Sequence, residues 1–399
     1  MTATASTHPS APPQPPGKRP DTGRLIGLLA WAHFLNDGAA NYLPGVLPAV
    51  LAALGLPIAY AGAILATLIV GQALQPLSGA WSDRWGGRAM PVLGLAGTAL
   101  GAAWVGWAQG LGSLLAALVL IGVANSLFHP PALASVRRFS SGSGERAISA
   151  FLVGGEIGRG LWPLLAGLVV TTWGLHALWV LPLAAIPTLG WMWARLPPQP
   201  RRSHTHSALG GLRAAGRPLV WLLAYSGLRN MLLLGVTAFV PLLWAERGGS
   251  LVGGAGLITA MLVVGIAGNL AAAFLAERWG RRRVVFTATA AACALLPAFL
   301  AARGAGMWLA LSGFGIAMFA TFPLTLLMGQ DLLPRHHSLG SGLALGLGNA
   351  IGAVGVAALG LLAARWHATG VLWAAEACGL LALAAVAKLP SAARAQAAA

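Results

Sequence analysis

The sequence predicts an all-α membrane protein of twelve transmembrane helices, built as two six-helix repeats. Three observations predict it. The 399 residues are 57% hydrophobic and only 9% charged, against about 25% charged in soluble domains. Apolar runs of roughly 20 residues, the length that crosses a hydrocarbon core, recur along the whole chain. The string Gly79 to Arg88 (GAWSDRWGGR) also returns as a degenerate copy ending at Arg282, with Asp83 matched by Glu277 at an offset of 194 residues (83 to 277). The same offset, without a gap, pairs Asn36 with Asn230, Gly71 with Gly265, Gln75 with Asn269, Phe128 with Phe322, Gly154 with Gly348 and Gly158 with Gly352. A register held across so many segments marks a duplication, and a long-period repeat decides architecture before any single residue does.

The elements follow in order. Residues 1–23, rich in Ala, Ser, Thr and Pro, read as a disordered cytoplasmic tail and not as a cleaved signal. A first six-helix bundle occupies 24–194, with spans near 25–50, 60–82, 89–108, 112–135, 147–170 and 174–194. A cytoplasmic linker, 195–216, carries Arg201, Arg202, His204 and His206; two histidines without a third ligand do not make a metal site. The second bundle occupies 217–387, with spans near 218–245, 251–276, 284–302, 306–329, 338–364 and 368–387, and residues 388–399 form a cytoplasmic tail. The many Gly, Pro and Trp residues suit membrane helices, where small side chains permit close packing and aromatic rings sit at the interfaces. Cys293 and Cys378 lie inside apolar spans and read as buried hydrophobes without a disulfide or catalytic role.

A net charge of +16 could suggest nucleic acid, but the placement of the charge argues for a membrane. Nearly every Lys and Arg falls in the termini, the linker or the loops on the same side of the predicted spans, and only Arg247, Arg303 and Arg365 fall on the opposite side. By the positive-inside rule both termini and the linker are cytoplasmic, and the basic excess faces anionic lipid with no nucleic-acid partner.

Within the spans a few polar residues stand out. His33, Asp37 and Asn41 are four residues apart and form one stripe on span 1. Asp37 lies near mid-span, where a carboxylate facing lipid is costly. It either loads and unloads a proton as its surroundings change or makes a static hydrogen bond to a neighbouring helix. Glu156 and Arg159, three apart on span 5, either neutralise each other or handle protons or substrate. His129, followed by Pro130 and Pro131, relays protons or fixes a bend. His33, Asp37, His129 and Glu156 are therefore the candidate proton-coupling groups. Arg229 is the mid-span charge of the second half, a permanently charged fork suited to carboxylate or phosphonate; it either binds an anionic substrate or pairs with Asp37 or Glu156 across the cavity. The candidate substrate contacts are Arg229, Arg159, Asn41, Asn230, Gln75, Asn269, Asn349 and Phe322, although amides also tie membrane helices together. The role of Glu376 in span 12 is open.

The sequence contains no phosphate-cradling Gly-Lys-Ser/Thr loop, no Gly-x-Ser-x-Gly elbow and no metal-ligand spacing. No catalytic residues, metal or cofactor are expected, and an ion gradient is the expected energy source.

Gly79, Asp83, Arg84, Gly86 and Arg88, with the copy Glu277, Arg278, Gly280 and Arg282, resemble the signature loop of the major facilitator superfamily. That resemblance implies two parallel six-helix halves, a substrate site at the bilayer midplane between them, and a loop that latches and releases as the halves rock. More specifically, His33 to Gly38 (HFLNDG), Leu74 to Leu77 (LQPL), Phe128-His129-Pro130, Gly154-Gly155-x-x-Gly158 and Ser226 to Asn230 (SGLRN) resemble the fosmidomycin-resistance family of bacterial efflux proteins, across essentially all twelve spans. This resemblance implies drug export driven by proton entry, from a monomer in the bacterial inner membrane. Glu156 departs from it, standing where that family's Gly-Gly motif carries an amide. The expected activity is proton-coupled antiport of a drug or small organic anion. An importer of organic or inorganic anions, and a membrane sensor without transport, are the alternatives.

Overall fold

The computed structural model describes residues 22–75, 77–78, 81, 88–139, 144–197, 208–333, 340 and 343–389, and among these every regular element is helical. Gly79, Asp83, Arg84 and Gly86, residues 1–21 and 390–399 of the tails and the middle of the linker lie outside the described residues. The first half comprises α1 (Thr22–Asn41), α2 (Leu43–Ala53), α3 (Tyr60–Gln72), α4 (Ala89–Val105), α5 (Leu111–Phe139), α6 (Gly144–Trp173) and a 3₁₀ stretch (Leu175–Ala184) that runs into α7 (Ala185–Arg195). The second comprises α8 (Ala208–Glu246), α9 (Leu251–Trp279), α10 (Arg281–Ala301), α11 (Ala305–Leu332), a π-helical turn (Leu343–Leu347) and α12 (Gly348–Val386).

Eight described segments are long and apolar enough to cross a membrane. The difference from twelve apolar runs has local causes. The first run is interrupted at Tyr42, before a helix that starts with Pro44 in its first turn. The α3 and α4 helices have 13 and 17 residues. In α12 one 39-residue helix is interrupted at His367, whose φ of 55° and ψ of −175° are not helical. Glu246, at the end of α8, stabilises that break: its carboxylate accepts from the Ala368 N–H at 3.2 and 3.3 Å, which caps the helix that follows. After α6 the chain makes a similar turn at Gly174, φ 81° and ψ 172°.

The outer surface is apolar. Large apolar side chains stand exposed on most of the helices, Leu309 at 74% and Ile186 at 66% among them, more than a water-facing surface ordinarily carries. Exposed tryptophans mark both rims: Trp107, Trp173, Trp308 and Trp366 at one end, Trp193, Trp221 and Trp279 at the other.

Small residues set how the helices pack. A Cβ on Gly154 or Gly158 would lie 2.4 Å from the Ala30 carbonyl oxygen or 2.1 Å from that of Phe34, so α6 touches α1 backbone to backbone. Their repeat partners Gly348 and Gly352 bring α12 equally close to α8 at Ser226 and Asn230. The halves meet where Gly62 of α3 abuts Val356 of α12 and Gly360 abuts Ala59, and where Gly160 and Gly167 of α6 abut Val263 and Ala255 of α9. The Leu164 N–H donates to Thr259 Oγ1 across this interface at 3.2 Å.

Candidate functional site

The Asp37 centre is assembled from three helices. His33 and Asp37 lie one turn apart on α1, and both are buried. The His33 ring stacks on Phe151 of α6, with centroids 4.1 Å apart, and its Nδ1 donates to the Phe151 carbonyl at 2.7 Å. Gly155 makes this stack possible, since a Cβ there would lie 2.4 Å from the ring. His129 of α5 donates through Nδ1 to the Asn125 carbonyl at 3.0 Å. Pro130 has no N–H, so the Ser126 carbonyl loses its helical partner and accepts instead from Ser78 Oγ at 2.5 Å. This bond ties the helix turn before His129 to the segment after α3.

Around the carboxylate, His129 Nε2 stands 3.0 Å from Asp37 Oδ1, His33 Nε2 3.4 Å from Oδ2, and the two Nε2 atoms 3.1 Å from each other. Arg159 Nη2 donates to Oδ2 at 3.2 Å and Asn36 Nδ2 to Oδ1 at 3.3 Å. Arg159 also pairs with Glu156 at 3.5 Å. Exposure grades across the site: the Asp37 and His33 side chains are 3% and 5% exposed, whereas Glu156, His129 and Arg159 reach 21%, 24% and 33%. The hidden acid thus sits behind a partly open rim of one imidazole and one ion pair.

Because each imidazole uses its Nδ1 hydrogen on a carbonyl, a neutral ring can offer only a lone pair at Nε2. Two such lone pairs and a carboxylate repel one another at these distances unless a cation lies among them. One proton shared at Nε2 meets this need. With Arg159 and Glu156 it also makes the net charge of the centre zero, the condition under which buried charge persists in a membrane.

The second centre is Arg229 on α8, fully buried. Its Nη1 donates to Thr321 Oγ1 at 3.1 Å and its Nη2 to Asn230 Oδ1 at 3.1 Å, and the guanidinium lies 3.8 Å from the centroid of the Phe322 ring. Its Nε makes no hydrogen bond among the described residues, and no described carboxylate pairs with it. Of the two alternatives for Arg229, the pairing with Asp37 or Glu156 is not made in this structure; Asp37 is held by Arg159 instead.

Other predicted residues fall differently. Asn41 donates to the backbone carbonyl of Asp37 at 2.8 Å, which ties down the end of its own helix. Gln75, Asn269 and Asn349 are half-buried, and among the described residues none hydrogen-bonds to Asp37, whose side-chain partners are His33, Asn36, His129 and Arg159, or to Arg229, whose partners are Thr321 and Asn230. Arg88 donates to the Leu196 carbonyl at 3.4 Å and lies over Trp193. Its repeat partner Arg282 donates to the Ala387 carbonyl at 2.6 Å. Each arginine thus binds a carbonyl just beyond the last helix of its own half. Glu277, Arg278 and Gly280 end α9 exposed, and the ion pair at this end is made by Arg281 with Asp331. Sequence reasoning did not anticipate Asp331, nor Thr321, Phe151 and Asn125, which act through positions that only folding brings together. Asn36 was legible as the repeat partner of Asn230.

The sequence matches the family model for the Major Facilitator Superfamily over residues 29–355. The chain belongs to that superfamily. It is 26% identical over 352 residues to the fosmidomycin resistance protein of Escherichia coli (strain K12), covering 85% of this chain and 86% of the relative. Among solved structures it superposes on a mutant of the nucleoside transporter NupG with a TM-score of 0.77 at 15% identity, covering 93% of this chain and all of the other. It also superposes on a bacterial homologue of the human lysosomal transporter Spinster, in an inward-facing and unoccupied conformation, with a TM-score of 0.75 at 16% identity, covering 93% of this chain and 97% of the other. These likenesses give the facilitator fold, within which the Asp37 and Arg229 centres lie one in each half.

Proposed function

We propose that this protein is a secondary transporter of twelve spans in two parallel repeats, which exports a drug or small organic anion of the fosmidomycin kind from the bacterial cytoplasm in exchange for protons. The observation that carries the proposal is the division of charge: a hidden carboxylate held by two imidazoles in one half, and in the other a buried arginine with no acid among the described residues. Protons enter at the Asp37 centre, where Arg159 exchanges between Asp37 and Glu156 as the carboxylate is neutralised. The anion is received by the Arg229 fork, whose free Nε and permanent charge suit carboxylate or phosphonate. Alternating access comes from rocking one half on the other about the glycine contacts of α3 with α12 and of α6 with α9. The Arg88 and Arg282 loops, with the linker and both termini, face the cytoplasm of the inner membrane, and the monomer works in anionic lipid without a nucleic-acid partner.

The experiment is a susceptibility panel that includes fosmidomycin, run on cells expressing the wild type or Asp37→Asn while internal pH is followed. Export predicts resistance with the wild type only. Growth of the expressing cells on a sole anionic nutrient, without resistance, would instead establish import; ligand binding without flux in proteoliposomes would establish a sensor.

A further inference from the structure

The spacing of residues along the chain shows no metal-ligand cluster, yet folding creates one. His33, Asp37 and His129 each bring one ligand atom into a group whose members lie within 4.8 Å of one another. We propose that these three side chains form a binding site for a divalent first-row transition-metal ion, lodged between α1 and α5.

Four features of the geometry support it. The first is the spacing of the nearest atoms. The separations of 3.0, 3.1 and 3.4 Å match the edge of about 3.3 Å that a tetrahedron has when its metal–nitrogen and metal–oxygen bonds are about 2.0–2.1 Å. Asp37 reaches His129 through Oδ1 and His33 through Oδ2, so either both oxygens share the ion or a small turn of the carboxylate about χ2, a soft torsion, presents one.

The second feature is the outer hydrogen bonds. A metal-binding histidine usually donates its other ring N–H to a carbonyl or carboxylate, which fixes the ring and its tautomer. Both imidazoles already do so, to Phe151 and Asn125, leaving the two Nε2 atoms, 3.1 Å apart, free to offer lone pairs. The carboxylate is oriented in the same way by Arg159 and Asn36.

The third feature is charge. Three electron-pair donors need a cation among them, and a metal ion meets that need as a proton does. The Arg159 guanidinium would oppose an ion here, but Glu156 pairs with it. The fourth is access: His129 and Arg159 are partly exposed while Asp37 and His33 are hidden, so an ion reaches the site from the rim and a coordination position stays open toward it. Two histidines and one carboxylate are a ligand set suited to Zn2+ and its neighbours.

The inference goes beyond the transport reading and does not depend on it, because the test needs no flux. Full-length protein purified in detergent is freed of metal with a chelator, and Zn2+ binding is measured by titration calorimetry and by metal analysis after dialysis. The expected result is one Zn2+ per chain, with the site lost in His33→Gln and in His129→Gln and kept in the control variants His176→Gln and His367→Gln, whose rings lie elsewhere. Zn2+ also raises the melting temperature of the wild type and of the controls, but not of the two site variants. Should a site variant fail to fold, X-ray absorption of the Zn2+-loaded wild type substitutes for it, with two imidazole nitrogens and carboxylate oxygen at about 2.0 Å expected. No bound Zn2+ in the wild type, unchanged stoichiometry in both site variants, or a coordination shell without imidazole would each overturn the proposal.

Discussion

Asp37 and Arg229 stand two positions apart in the 194-residue register that matches the two halves, Asp37 opposite Met231 and Arg229 opposite Leu35, and the structure treats them oppositely. Asn36 and Asn230, matched by the repeat, face them with opposite ends: the Asn36 amide nitrogen donates to the acid at 3.3 Å, and the Asn230 amide oxygen accepts from the arginine at 3.1 Å. The unused ends, Asn36 Oδ1 and Asn230 Nδ2, make no hydrogen bond among the described residues. Phe128 and Phe322, also matched, lie beside the polar centre of their own half, with ring centroids 5.9 Å from that of His33 and 3.8 Å from the Arg229 guanidinium. The difference lies in the counter-ions. Asp37 has a guanidinium and two imidazoles, whereas Arg229 has a hydroxyl, an amide and an aromatic face. The two halves thus share helix contacts and amides, while among the described residues one centre pairs its charges internally and the other leaves its cation without an acid.

The comparison breaks most severely at Asp37. Asp37→Asn leaves Arg159 with Glu156 alone and is expected to reduce pH-gradient-driven export in proteoliposomes to the level of empty vesicles, while size-exclusion chromatography still shows a folded protein. Next comes Arg229→Lys, which keeps the charge but loses the fork. Loss of one charge-assisted hydrogen bond, worth about 1.5–3 kcal/mol, is expected to raise the KM for the anion about 10- to 100-fold. Packing comes third. Gly155→Ala places a Cβ in the His33 ring and costs about 1–3 kcal/mol, read as a lower melting temperature. Phe322→Leu removes the aromatic face over Arg229 at about 1 kcal/mol, with a smaller drop in melting temperature and export retained. Asn269→Ala, at a residue that hydrogen-bonds to neither centre among the described residues, is expected to change the KM by less than about twofold; a larger effect would bring α9 into the site.

The sequence made much of this legible because the repeat acts as an internal control. The matched glycines Gly154 with Gly348 and Gly158 with Gly352 announced two helix pairs, and the structure packs α6 on α1 and α12 on α8 through them. At the same offset Asp37 meets Met231, His129 meets Pro323, Arg159 meets Ala353 and Arg229 meets Leu35, so the charged positions are where the symmetry fails. What could not be read is the set of distances that only folding defines. His33 and Asp37 share a helix and are visible as a pair, but His129 is 96 residues from His33, and nothing in the spacing says that their rings meet. The Thr321 hydroxyl was equally hidden, because a threonine inside an apolar helix ordinarily bonds its own backbone, as this one also does to Met318 at 2.7 Å.

The central claim is that proton handling belongs to the Asp37 half and anion handling to the Arg229 half. The most direct measurement follows both fluxes in one preparation: proteoliposomes carrying an internal pH dye and a radiolabelled anion, reconstituted with wild type, Asp37→Asn or Arg229→Lys. The account predicts coupled anion and proton movement in the wild type, anion exchange without proton movement in Asp37→Asn, and weakened anion exchange with Arg229→Lys in which each anion still moves its proton. Proton-coupled anion movement that persists in Asp37→Asn, or an Arg229→Lys protein with unchanged anion kinetics, would contradict it.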